Sequence, residues 1–321
     1  MDFLHPADYI KTHGTGAASW SPANSQAYTR WLSGAHYENF HVASIALPKR
    51  LHQDFFNVYS YCRWADDLGD EIADPQESLD LLAWWRGELH AMYEGRTTHP
   101  VFIALADTVE RHQLGIEPFE HLIRAFEQDQ RKTRYETYEE VLDYCVYSAN
   151  PVGRLVLQLC GYADEERVRL SDLTCTGLQL ANHWQDVRRD YMDSDRIYIP
   201  ENLMDRHGYS FSMLERDIKA GACAPECRAV MRDLVNRAES LFLQGLPLVD
   251  SLDRRLSIDI ELFSRGGLTV LDKIRKRNFD VISERPRVRH RDRVRLLVGV
   301  VARQLIERPP LLTADRSSGV S

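Results

Sequence analysis

Four aspartates fall into two pairs with one spacing. Asp66 and Asp70 lie in Asp66-Asp67-Leu68-Gly69-Asp70-Glu71; Asp186 and Asp190 close the run Asn182-His183-Trp184-Gln185-Asp186-Val187-Arg188-Arg189-Asp190. On a helix, residues i and i+4 project from one face about one turn apart. Two carboxylates placed this way weaken the helix by about 0.2–0.5 kcal/mol, so folding gives no reason for them. Divalent cations do: Mg²⁺ takes oxygen ligands, keeps several waters, and is held by one or two carboxylates plus substrate phosphates. Two such helices facing each other would make a site for Mg²⁺ and a diphosphate. Asp67 and Glu71 adjoin the first pair but face elsewhere on a helix, where solvent or a supporting role is expected.

Helices must position these groups, and helix signals run through nearly the whole chain. Ser21-Pro22 reads as an N-cap with Pro at the first helical position. Pro48 opens a long segment through Phe55, Phe56, Val58, Tyr59, Cys62 and Ala65 to the first Asp cluster. Asp74-Pro75-Gln76-Glu77 and Thr137-Tyr138-Glu139-Glu140 are capping boxes, and Gly95 suits the end of the helix begun by the first. Pro151 is expected to kink or break the helix that carries Val141, Leu142, Cys145 and Val146. A helix from Ser171 through Leu173, Leu178, Leu180, Ala181 and Trp184 carries the second cluster, and further helical patterns cover Ala224 to Leu243 and Ile258 to Ile282. There are no alternating β-branched runs with Asn-Gly turns and no fixed-period repeat. The expected architecture is one all-α domain over residues 1–308, with 309–321 a disordered tail.

Composition narrows the partners. The 321 residues carry net charge −8, which argues against nucleic-acid binding over a broad surface. Six scattered cysteines lack a zinc spacing and read as reduced, structural thiols of a cytoplasmic protein. The N-terminus has no basic segment followed by an apolar core, and no stretch approaches the roughly 18–20 apolar residues that span a bilayer. The segment Lys273 to Arg308 is basic, unlike the whole, and is expected to be a solvated face or a peripheral contact with anionic headgroups of the inner membrane.

Ordered segments from His36 to Arg287 resemble the squalene and phytoene synthase family. They are His36-Tyr37-Glu38-Asn39-Phe40, Leu47-Pro48, Tyr59-Ser60-Tyr61-Cys62-Arg63-Trp64-Ala65-Asp66 through Asp70, Tyr144-Cys145, Val152-Gly153, Asn182 to Asp190, and Arg196-Ile197-Tyr198-Ile199-Pro200. The resemblance implies an isoprenoid-synthase helical bundle around a central cavity. It implies that Asp66, Asp70, Asn182, Asp186 and Asp190 hold two or three Mg²⁺ ions through the diphosphate. It gives Arg63 and Arg285 to the diphosphate, and Tyr59 and Tyr144 to the reaction centre, with His36, Phe40, Asn150 and Gln185 as further substrate contacts. The carbocation left by C–O cleavage needs a dry cavity with apolar and aromatic walls. Phe40, Phe55, Phe56, Tyr59, Tyr61, Trp64 and Trp184 lie near the motifs, though most of this aromatic stripe is expected to be core rather than pocket.

Within the family, Ser148-Ala149-Asn150-Pro151-Val152-Gly153-Arg154, His183-Trp184-Gln185 and Arg285-Pro286 resemble the bacterial hopanoid-pathway branch, the hydroxysqualene synthases. That branch ionises presqualene diphosphate and lets water capture the cation. No NADPH is expected, and a presqualene diphosphate synthase would supply the substrate. The rival readings are a sister enzyme condensing two farnesyl diphosphates, and a non-catalytic helical relative. Asp195 where the family often has Gly, and Thr269-Val270 where it often has a Tyr near position 270, count against the condensation.

Overall fold

The computed structural model describes residues 3–16, 19–35 and 47–307. In chain order these form α1 (Pro6–His13), α2 (Pro22–Ala35), α3 (His52–Asp70), α4 (Pro75–Tyr93), α5 (Pro100–His112), α6 (Glu117–Asp129), α7 (Tyr138–Ser148) and α8 (Asn150–Leu159). There follow α9 (Glu165–Ser194), α10 (Glu201–Arg206), α11 (Phe211–Ala220), α12 (Pro225–Gly245), α13 (Pro247–Ser251), α14 (Arg254–Lys276) and α15 (His290–Glu307). Among the described residues there is no strand; one isolated bridge joins Arg134 and Ile197. The all-α expectation holds. The tail expected over 309–321 lies outside the described residues.

Local chemistry sets the helix ends. Ser21 Oγ accepts from the Asn24 N–H at 3.2 Å, Asp74 Oδ1 from Gln76 N–H at 2.7 Å, and Thr137 Oγ1 from Glu140 N–H at 3.2 Å. Each satisfies an amide that the first turn leaves without a helical partner. Pro151 lacks an N–H and sits in the first turn of α8, so α7 and α8 separate at Ala149. The pattern through Ile282 stops sooner than expected. Asn278 and Phe279 take positive φ of 51° and 60°, and the Asp280 carboxylate then accepts from the Ile282 and Ser283 amides. That turn frees the chain to reach Arg285.

Two clusters of buried apolar residues anchor the two Asp-bearing helices separately. In α3, Phe55, Val58, Tyr61, Trp64, Ala65 and Leu68 recur every three or four residues and pack with Leu82, Trp85 and Phe102. In α9, Leu180, Ala181, Trp184 and Val187 pack with Tyr144, Val235, Phe242 and Leu271. Helix α8 touches both α3 and α9. No helix is long and apolar enough to cross a membrane among the described residues.

Gly153, in α8, is required by close packing on α9: a Cβ there would lie 2.4 Å from Ser171 Oγ and 2.5 Å from Cys175 Sγ. Gly153→Ala is expected to cost about 1–3 kcal/mol in denaturant unfolding. Gly87→Ala, at an exposed mid-helix site with open space around it, should instead gain about 0.5–1 kcal/mol. Equal effects at the two sites would contradict this packing.

Asp259 gives a pH test. It is 1% exposed, neither carboxylate oxygen has a hydrogen-bond partner, and burial followed by the charge of Asp253 pushes its pKa up to about 8. Between about pH 4 and 8 the folded state therefore holds a proton that the unfolded chain has released, so stability falls as pH rises. Asp259→Asn removes that dependence. Its melting temperature should exceed the parent's by a margin that widens from pH 5 to pH 8; a margin that narrows would contradict the buried neutral acid.

Candidate active site

The two carboxylate pairs meet in one cavity of about 680 Å³. Asp66, Asp70 and Arg63 reach it from α3; Asn182, Asp186 and Asp190 reach it from α9. Helical periodicity alone puts the α9 trio in a row, because each is four residues from the next. Gly69 sits close to the Phe126 ring, and its carbonyl accepts from Gln130 Nε2 at 2.7 Å, fixing the end of α3 at the cavity rim.

Arginines knit the carboxylates together. Arg63 pairs with Asp66 at 3.2 Å, with Glu71 at 3.1 Å, and with buried Asp67. Arg196 Nη1 lies 3.0 Å from Asp70 Oδ1. Arg285 grips Asp186 through both faces of its fork, Nη2 to Oδ2 at 2.8 Å and Nε to Oδ1. Burial and the neighbouring Asp70 push the Asp66 carboxyl up to about 6; burial and Asp186 push Asp190 up to about 7.

Not every expected contact reaches this cavity. Gln185 does not line it: its amide donates to the Pro286 carbonyl, so it ties down the segment beside Arg285. Position 185 precedes Asp186 by one residue, about 100° round the helix, which turns it away. Asn150 is buried beneath the α7–α8 break and accepts from Thr176 Oγ1 at 3.0 Å, away from the cavity lining. Arg285 reaches Asp186 but otherwise borders a neighbouring basic cleft. Tyr59 lies one turn before Arg63, outside the lining residues, its hydroxyl pushed up to about 12 by burial. His36 and Phe40 lie outside the described residues. Tyr61, Trp64 and Trp184 are wholly buried in the two cores rather than in the wall. Asp67 is buried and pairs with Arg63, so the solvent role does not hold for it.

The aromatic wall comes from Phe126, Tyr144 and Tyr198 instead. Tyr144 donates its hydroxyl to Asp129 Oδ2 at 2.7 Å, and Tyr198 donates to Asp129 Oδ1 at 3.3 Å. His183 stacks on Tyr198 with ring centroids 3.6 Å apart, and burial holds its pKa down near 3, so the ring is neutral. Asp129 escapes a reading of motifs alone, and Arg196 opens the Arg196-Ile197-Tyr198-Ile199-Pro200 segment without a site role in the sequence reading. The available signal was an acid on an apolar helix face: Leu122, Ala125 and Asp129 share one side of α6, all buried. Arg196 follows Asp195, which ends α9 in the left-handed conformation at φ 51° and accepts from Arg134 Nη2 at 2.7 Å. A glycine is the usual residue for that conformation; a short acidic side chain tolerates it.

The donor set fits magnesium chemically. Eight acidic side chains and three arginines line the cavity, an imbalance that favours added cations. Among the described residues, no three His, Cys, Asp or Glu side chains converge as a ready-made metal cage. An ion whose remaining ligands are water and diphosphate needs no such cage.

The ion pairs separate carboxylates that hold the fold from those free to bind. Asp67→Ala leaves Arg63 without its buried partner and should cost roughly 3 kcal/mol in denaturant unfolding. Asp66→Asn, at a carboxylate open to the cavity, should change stability by less than about 1 kcal/mol. The reverse order would contradict the division.

The squalene/phytoene synthase family model matches residues 34–293. A phytoene synthase of Thermus thermophilus is 31% identical over 264 residues, covering 82% of this chain and 88% of that protein. A hydroxysqualene synthase of Rhodopseudomonas palustris is 30% identical over 273 residues, covering 84% and 90%. The crystal structure of squalene synthase HpnC from Alicyclobacillus acidocaldarius superposes with a TM-score of 0.75 at 40% identity, covering 83% of this chain and 98% of that one.

Proposed function

The chain belongs to the squalene/phytoene synthase family, whose enzymes act on prenyl diphosphates, and from that premise we propose that it converts presqualene diphosphate and water to hydroxysqualene and diphosphate. The observation that carries the ionisation is the meeting of both Asp pairs with Arg63 and Arg196 in one cavity. Likeness to hydroxysqualene synthases supports the water capture. Likeness to a phytoene synthase supports a second reading, the condensation of two farnesyl diphosphates. Both readings use the same cavity.

Cleavage of the C–O bond sends its electron pair to the departing diphosphate. Arg63 and Arg196 present guanidinium groups to the oxygens that gain charge. Magnesium held by Asp66, Asp70, Asn182, Asp186 and Asp190 would neutralise the same oxygens. Phe126, Tyr144 and Tyr198 supply the aromatic part of the wall around the cation. Water then adds its oxygen to the cationic carbon and must lose a proton. In this reading Tyr144 takes it at its hydroxyl oxygen while passing its own proton to Asp129, and the 2.7 Å hydrogen bond between them supports the relay. This reaction consumes no reductant, and a separate activity must make its presqualene diphosphate.

Product analysis distinguishes the readings. The purified protein with Mg²⁺ and no NADPH receives presqualene diphosphate or farnesyl diphosphate in separate tubes. Hydroxysqualene from the first and nothing from the second is the expected result. A C30 product from farnesyl diphosphate would transfer the function to condensation, and silence in both would remove the prenyl-ionising assignment at this chain length. Asp66→Asn and Asp186→Asn should each lower turnover about 10²-fold or more. Asp129→Asn should release diphosphate while making less hydroxysqualene per turnover; an unchanged ratio would remove Asp129 from the proton path.

A further inference from the structure

Helix α15 has its polarity reversed relative to an ordinary surface helix. Besides the buried Val300, its inner face meets α14 through polar groups: Arg303 donates to both Glu261 oxygens at 2.8 Å, and Gln304 donates to Ser257 Oγ at 3.0 Å. Lys273 pairs with Asp292 at 2.8 Å at the start of the helix. The outward face carries Val294, Leu297, Val298 and Val301, all exposed, with Val298 at 61%. Their i, i+3, i+4, i+7 spacing makes one continuous stripe. At about 100° per residue, Arg291 and Arg295 flank one side of the stripe and Arg293 the other.

The charge beside this stripe is concentrated. Arg287, Arg289, Arg291, Arg293 and Arg295, with a single acidic residue, Asp292, fall between positions 286 and 296, in a chain of net charge −8. A cleft of about 730 Å³ lies where the chain enters α15, lined in part by Arg287, Arg289 and Arg291. Among the described residues none of these three guanidiniums forms a salt bridge, although Arg291 adds to the positive field at Asp292, whereas the neighbouring Lys273, Lys276 and Arg277 are paired with Asp292, Asp272 and Glu284. An apolar stripe edged by unneutralised arginines matches the two layers of one partner: acyl chains and the anionic phosphates above them.

We propose that α15 and the arginine-rich segment leading into it form a docking face for an anionic lipid bilayer. The helix lies in the plane of the interface, with Val294, Leu297, Val298 and Val301 among the acyl chains and the flanking arginines at lipid phosphates. An acidic protein is repelled by such a surface as a whole, so the local patch must orient the approach. The proposal stands on this surface and does not depend on which reaction the cavity performs.

Flotation of the full-length protein tests it. Vesicles of phosphatidylglycerol and phosphatidylcholine should carry the protein upward at low salt, with at least tenfold less recovered on phosphatidylcholine alone. Two variants change only exposed positions: Arg291→Glu/Arg293→Glu/Arg295→Glu, and Leu297→Ser/Val298→Ser/Val301→Ser. Each should keep the parent's melting temperature and lose at least tenfold in recovery. Absence of flotation on the anionic vesicles would overturn the proposal, as would parent-like flotation of both variants. Sedimentation velocity closes the other route: a dimer dissolved by the serine variant, with no vesicle binding, would assign the stripe to a second copy of the chain.

Discussion

Carboxylate repulsion across a shared cavity is the constraint on which the rest depends. Eight acidic side chains face about 680 Å³ with only three arginines among them. Such an arrangement persists only if each Asp-bearing helix is held by something other than its neighbour across the gap. The two cores supply this: α3 is fixed by Trp64, Trp85 and Phe102, and α9 by Trp184, Val235 and Phe242. The apolar faces place the acids, and the acids need a cationic, oxygen-seeking ligand to bring them into balance.

Arginine pairing organises what repulsion would otherwise scatter. Arg63 gathers two carboxylates on α3 and Glu71 just past its end, Arg196 ties the chain after α9 to Asp70, and Arg285 joins the segment after α14 to Asp186. Three distant parts of the sequence thus close around one cavity through charge pairs that a diphosphate can re-partner. Gln185 contributes indirectly, by holding the Pro286 carbonyl next to Arg285. The Tyr144–Asp129–Tyr198 group adds a polar cluster to the same wall, coupled to Arg196 through the Asp129 charge and kept in place by the His183–Tyr198 stack.

The sequence made the site legible where one helix carries the information. Asp66 with Asp70, and Asn182 with Asp186 and Asp190, follow from i, i+4 spacing, and the break at Asn150-Pro151 follows from proline's missing amide. Legibility ended where tertiary structure chose the partner. Periodicity turns Gln185 away from its neighbour Asp186, and Asn150, given to the substrate by resemblance alone, accepts from Thr176 Oγ1 beneath the α7–α8 break. The aromatic residues near the motifs are expected to be mostly core, and Tyr61, Trp64 and Trp184 are wholly buried. Asp129 and Arg196 join the site only through folding, since 59 or more residues separate Asp129 from Asp70 and Arg196 from Asp70.

The most direct test asks whether the two Asp pairs act on one ligand. Calorimetric titration with inorganic diphosphate in the presence of Mg²⁺ would be run on the parent, Asp66→Asn, Asp186→Asn and the double variant. If one bound diphosphate spans α3 and α9, the two losses in binding free energy will be non-additive by about 1 kcal/mol or more, beyond the scatter expected of independent sites. Losses that add to within about 0.5 kcal/mol would mean the pairs work separately, and the shared cavity would no longer explain them.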